Sequence, residues 1–215
     1  MISLSQVTVR YGDVTAVDDV TFAVPPGFVL AVSGPSGAGK SSLLWAIAGA
    51  VRPAKGQVEV DGLVIEDRPA AAAHGVVLIP QGNGLARVLT ARENLSIPLL
   101  SAKKPSDEVD RIIAEALAGV GLEESGDHLV EELSGGEQQR VAVARGIAQQ
   151  GQVILADEST SELDSTNRER VLDLLRNEAR RGAAVIIATH DIAVAESADG
   201  HALMDEGRLT WARRL

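Results

Sequence analysis

Gly34-Pro35-Ser36-Gly37-Ala38-Gly39-Lys40-Ser41 decides the fold of this chain. The octet is glycine, four residues, then Gly-Lys-Ser, the Walker A pattern of a phosphate-binding loop. The apolar run at 28–33 before it reads as a buried strand, and the stretch 41–50 after it reads as a helix. Glycines at this spacing let the backbone curl until successive N–H groups meet phosphate oxygens. The start of the helix adds the positive end of its dipole. Lys40 is placed to reach the β- and γ-phosphates, and the Ser41 hydroxyl to ligate Mg²⁺.

Downstream, Val153-Ile154-Leu155-Ala156-Asp157-Glu158 is an apolar strand ending in two acids. Acids are costly inside a buried strand but face the ligand crevice at its carboxyl end. Asp157 is the natural second ligand for Mg²⁺. Strand alternation turns Glu158 the other way, where it can orient or deprotonate an attacking water.

The remaining pattern alternates strand and helix, which argues for an α/β fold. β-branched runs at 2–9 and 14–24 flank the turn residues Gly12 and Asp13. Further strands are expected at 57–65, 75–80 and 183–189, and a last hairpin from His201. Val109, Ile112, Ile113, Ala116, Leu117 and Val120 follow helical spacing, with Ser106 as N-cap and Gly121 as stop. The simplest architecture is one domain, 1–215. An α/β core, 1–82 and 151–215, carries a mostly helical insertion, 83–150.

Composition narrows the function. The 215 residues are 45% hydrophobic but only 2% aromatic, so Ala, Val, Leu and Ile must fill the interior. Such residues suit parallel strands covered by helices. The absence of cysteine excludes disulfides and thiolate metal sites. A formal charge of −10 makes the surface a poor general binder of nucleic acid or anionic lipid. The first ten residues lack a signal-peptide pattern, and no apolar run approaches the ~20 residues needed to span a bilayer.

With these motifs in place, Leu133-Ser134-Gly135-Gly136-Glu137-Gln138-Gln139-Arg140 resembles the signature of the ABC ATPase family, and the resemblance covers nearly the whole chain. It implies a P-loop NTPase core with a mostly parallel sheet, an N-terminal antiparallel β subdomain and a helical insertion subdomain. It also implies ATP and Mg²⁺ as cofactors. Nucleotide contacts would come from Gly34, Pro35, Ser36, Gly37, Ala38, Gly39, Lys40, Ser41 and Ser42, with Tyr11 stacked on adenine. Gln81 resembles the glutamine that joins Ser41 and Asp157 at the metal. His190 resembles the switch histidine, completing a catalytic set with Glu158, Gln81 and Lys40. Ser161 and Asp164 resemble the D-loop. In the family, Ser134, Gly135, Gly136 and Glu137 act on the ATP of the other subunit of a dimer. One departure is Ser159, where the family commonly has proline; its hydroxyl is expected to bond locally and keep the turn. His74, His128 and His201 match no motif.

The resemblance also implies a peripheral location on the cytoplasmic face of the membrane and a separate transmembrane permease. A homodimer or pseudo-symmetric dimer would bind it, docking a short permease helix near 81–100, where Leu85, Val88 and Leu89 are apolar in a loop-like segment. The run 89–100 and the segment 156–164 are similar to the macrolide-exporter and lipoprotein-release branch. The alternative is the cell-division type, which signals across the membrane without transport.

Overall fold

The computed structural model describes residues 1–215. They form two compact units: 1–78, 151–158 and 176–215 make the first, and 79–150 with 159–175 make the second. Residues 159–175 therefore cluster with the helical part rather than with the core to which the sequence assigned them.

The first unit begins with strands β1 (Ile2–Tyr11) and β2 (Val14–Val24), then β3 (Val29–Ser33) and helix α1 (Lys40–Ile47). β4 (Lys55–Val60), β5 (Leu63–Val64), α2 (Arg68–Ala73) and β6 (Val76–Ile79) follow. Strands β1, β2, β4 and β5 form an antiparallel sheet in the order β2-β1-β4-β5. Asp61 and Gly62, both at positive φ, make the tight turn between β4 and β5, the geometry that matches strand twist. The alanine-rich stretch at 70–73, given no element from the sequence, lies in α2. Asp67 caps that helix, its carboxylate accepting from the Ala70 N–H at 2.8 Å.

The second unit holds α3 (Ala91–Ser101), α4 (Ser106–Gly119) and α5 (Gly135–Ala148), packed against one another over Leu95, Leu99, Ile113, Leu117 and Val141. Thr90 and Glu93 form a capping box at the start of α3. Ser106 is not the cap of α4. Pro105 takes that position in extended backbone and Ser106 is the first helical residue. Gly121, at φ +68, stops the helix as expected.

The chain continues through β7 (Val153–Asp157), α6 (Ser165–Arg180), β8 (Ala184–Thr189), α7 (Ile192–Glu196), β9 (Gly200–Asp205) and β10 (Arg208–Arg213). The six-stranded sheet of the first unit runs β10-β9-β3-β8-β7-β6. Its central strands β3, β7 and β8 are buried along their whole length and pair in parallel, as a sheet covered on both faces requires. The expected terminal hairpin is β9–β10. Helix α1 touches β7 and β8 of this sheet as well as β1 and β2 of the antiparallel one. Its Leu43, Leu44 and Ile47 are sealed from solvent, each contributing about 1.5–3 kcal/mol of transfer free energy. Residue 40 is thereby fixed at the carboxyl end of the parallel strands.

Candidate nucleotide site

The glycine loop joins β3 to α1 within the first unit. Gly34 has φ +154, and a Cβ there would lie 2.0 Å from the Met204 carbonyl oxygen. Gly39 has φ +106, and its Cβ would lie 2.0 Å from the Ala16 carbonyl oxygen. Neither position can carry a side chain, so the loop's own backbone lines the cradle. Lys40 is buried; its Nζ donates to the carbonyls of Gly34 at 2.8 Å and Pro35 at 3.0 Å. The ammonium thus closes over its own loop. Nζ also lies 3.6 Å from Glu158 Oε1, and both groups are nearly sealed from water.

Asp157 ends β7 and is 1% exposed. Burial pushes its carboxyl above the ordinary aspartate range; the Ser41 hydroxyl works against that shift, the Glu158 charge adds to it, and Lys40 opposes it. Asp157 Oδ1 is buried without a hydrogen-bond partner. A buried orphan carboxylate oxygen beside a serine hydroxyl supplies oxygen donors suited to a hard cation. The residues present therefore fit Mg²⁺ held by Ser41 and Asp157, with the loop around the phosphates.

A pH-dependent consequence follows. A carboxyl whose folded-state value is raised costs nothing at low pH, and destabilises the folded chain as pH rises and ionisation is forced. Asp157→Asn is expected to raise the melting temperature of the nucleotide-free chain at pH 7. That gain should shrink as pH falls toward the ordinary aspartate value of about 4 and vanish well below it, where Asp157 is neutral in both states. Melts at the two pH values check it; an equal shift at both would show that charge is not the cause.

Glu158 departs from the sequence expectation. Strand alternation does not orient it, because β7 ends at Asp157 and Glu158 stands at φ +49. Its N–H still bonds the Ala188 carbonyl at 2.9 Å. Left-handed backbone at a non-glycine residue costs about 1–3 kcal/mol and persists only where surroundings impose it. The turn swings the carboxylate between Lys40 and His190, whose Nδ1 lies 2.9 Å from Oε2. His190 follows β8 and is largely solvent-exposed. The structure thus brings Lys40, Asp157, Glu158, Ser41 and His190 together. Tyr11, at the tip of the β1–β2 hairpin, keeps an exposed ring.

The second unit presents its own groups. Ser134 is the N-cap of α5 and forms a capping box with Glu137. The Ser134 hydroxyl donates to Glu137 Oε2 at 2.6 Å and its N–H to the same oxygen at 2.9 Å. These two bonds hold the Glu137 carboxyl below its usual range. Gly135 and Gly136 form the first helical residues, whose N–H groups have no partner inside a helix. Asp164 caps the start of α6 by accepting from the Asn167 backbone N–H at 2.9 Å. Gln81 is exposed just after β6. The Ser159 hydroxyl does not bond locally as expected; it is buried with no partner. Ser159→Ala removes that orphan and should leave stability unchanged or raise it by about 1 kcal/mol in urea unfolding. A loss above that size would reveal a partner for the hydroxyl.

Motif reasoning did not find Asn94. It is 1% exposed and its side chain bonds the backbone of Ala86, Leu89 and Thr90. The only signal was a polar residue inside an apolar helical pattern.

Known proteins resemble this chain in sequence and in fold. The family model for "ABC transporter" matches residues 17–161. The hemin import ATP-binding protein HmuV of Nocardia farcinica is 40% identical over 197 residues, 89% of this chain and 68% of that protein. Among solved structures, the dimeric post-hydrolysis state of the ATP-binding cassette MJ0796, bound to ADP and Pi, superposes with a TM-score of 0.91 at 31% identity, covering 100% of both chains. A dimeric structure of MJ0796 described as a bacterial ABC transporter cassette matches with the same TM-score, identity and coverage.

Proposed function

Because the chain belongs to the ABC transporter family and is an ATP-binding ATPase cassette, we propose that it hydrolyses ATP to drive conformational change in a separate transmembrane permease. The observation that carries this reading is the Asp157–Glu158 pair beside Ser41, Lys40 and the glycine loop. In the proposed mechanism, residues 34–42 hold the phosphates and Tyr11 stacks on adenine. Ser41 and Asp157 would hold Mg²⁺, with Gln81 as the further ligand that the family resemblance implies, and the cation would neutralise phosphate charge. Glu158 orients the attacking water and takes its proton, and His190 fixes the Glu158 carboxylate and contacts the γ-phosphate.

Two copies are proposed to close head to tail, with Ser134, Gly135, Gly136 and Glu137 of one acting on the ATP of the other. Ser161 and Asp164 serve as the D-loop. The dimeric MJ0796 cassettes support the pairing of two copies. Sedimentation of a Glu158→Gln variant checks it: dimer with saturating Mg-ATP, monomer without. A monomer under both conditions overturns the sandwich.

A peripheral place on the cytoplasmic face of the membrane is part of the proposal. No helix is long and apolar enough to cross a membrane, and the span is proposed to come from the permease. Its docking surface is proposed at 81–100. Of the three apolar residues expected there, Val88 is fully exposed at 75% while Leu85 and Leu89 are half-buried; Ile97 and Leu100 on α3 add exposed apolar surface. For the direction of transport, the run 89–100 supports the export and lipoprotein-release branch, whereas the 40% identical relative is an importer's ATPase. Co-purification with the permease and assay of hemin uptake against lipoprotein release separates these readings. ATP cycling with no cargo moved would favour the cell-division type.

A further inference from the structure

The segment that carries Gln81 is tied to α5, the helix that begins at Ser134. Asn83 stands at φ +47 and Gly84 at φ +60, two left-handed residues in a row. The resulting turn presents both carbonyls to one side chain. Arg145 Nη2 donates to the Asn83 carbonyl at 2.8 Å and Arg145 Nη1 to the Gly84 carbonyl at 2.7 Å. A guanidinium fork that spans two adjacent carbonyls fixes orientation as well as distance, which an ammonium cannot do.

A second tie lies two turns earlier on α5. Asn83 Nδ2 approaches Gln138 Oε1 at 3.5 Å, and Gln138 Nε2 donates to the Leu133 carbonyl at 2.8 Å. Residues 138 and 145 are seven apart, so they share one helix face roughly 10 Å apart along the axis. Leu133 immediately precedes the Ser134 cap. The loop after β6 is thereby held at both ends of one face of the helix whose start is the signature turn. All these groups belong to the second unit.

We propose that Arg145 is a positioning residue that locks the Gln81 loop to the signature helix, so that Gln81 and Ser134 move together. It acts through Gln81. The inference rests on the roles proposed above for Gln81 and the signature turn. Without the fork, the left-handed turn at 83–84 loses its anchor and Gln81 loses its fixed place relative to Ser134.

Double-mutant kinetics on the full chain with Mg-ATP test it. Arg145→Met is expected to lower kcat about ten- to a hundredfold, the usual cost of a misplaced catalytic group. KM for ATP should stay near the parent value, because the phosphates are held by the first unit. Arg145→Lys should recover little, since it cannot span both carbonyls. In a Gln81→Ala background, Arg145→Met should cause no further loss, because residues acting as one unit are not additive. A purely structural arginine would instead multiply the two losses, or raise KM along with lowering kcat, and either result overturns the inference. So does an unchanged kcat in Arg145→Met. Should Arg145→Met fail to fold, Asn83→Gly decides. Glycine keeps the left-handed backbone but loses the Gln138 tie, and it should show a smaller fall in kcat, also absent in the Gln81→Ala background. Parent-level turnover in Gln81→Ala alone overturns the proposed role of Gln81 and this inference with it. A slow Gln81→Ala with multiplied losses overturns the Arg145 inference only.

Discussion

Glu158→Gln is expected to hydrolyse ATP about 10²- to 10⁴-fold more slowly than the parent chain, while still binding ATP. The substitution keeps the shape of the side chain and removes its capacity to take a proton. Lys40 and the glycine loop, which grip the phosphates, are untouched. Glu158 already sits where a base should: buried, 3.6 Å from Lys40 Nζ and 2.9 Å from His190 Nδ1. Single-turnover phosphate release, with equilibrium nucleotide binding alongside, separates the two effects. Turnover at the parent rate would falsify the assignment and hand the water to another group.

Lys40→Ala should lose binding and turnover together, with turnover falling by about 10²–10³, the range for removing one preorganised donor. Lys40 Nζ donates to the Gly34 and Pro35 carbonyls. Nucleotide binding exchanges those two neutral acceptors for anionic phosphate oxygens, which bond more strongly. The substitution also strips a buried carboxylate of its cation, and a buried pair broken on one side is destabilising. Calorimetric titration with Mg-ATP on a variant confirmed folded by circular dichroism checks the claim. Undiminished affinity would mean that backbone N–H groups alone carry the phosphate grip.

The glycine loop, the acidic strand end and the signature turn were legible because each is local: residue types at fixed spacing within one short stretch of chain. The parallel core strands were legible because continuous burial leaves continuous apolar runs. What escaped depended on geometry that spacing does not encode. The Ala70–Ala73 stretch became a helix through a single Asp67 cap. Glu158 is aimed by its own left-handed backbone, not by the alternation that the sequence suggests. The Ser159 hydroxyl is buried without a partner, which spacing alone does not foretell. Asn94 and Arg145 do their work on backbone carbonyls tens of residues away or across a turn, and a carbonyl leaves no mark in the sequence.

The division into two units has a spectroscopic corollary. Both tryptophans, the single tyrosine and both phenylalanines fall in the first unit: Trp45, Trp211, Tyr11, Phe22 and Phe28. Only that unit has reporters for intrinsic fluorescence and near-ultraviolet dichroism, including the edge-to-face pair of Phe22 and Trp211. The helical unit that carries Gln81, Arg145 and the signature turn is optically dark. A fluorescence melt will therefore follow the nucleotide-loop half of the molecule and pass over loosening around Arg145. Amide hydrogen exchange reads both halves. Disagreement between the two methods would mark a chain that opens in two steps, with the signature unit leaving first.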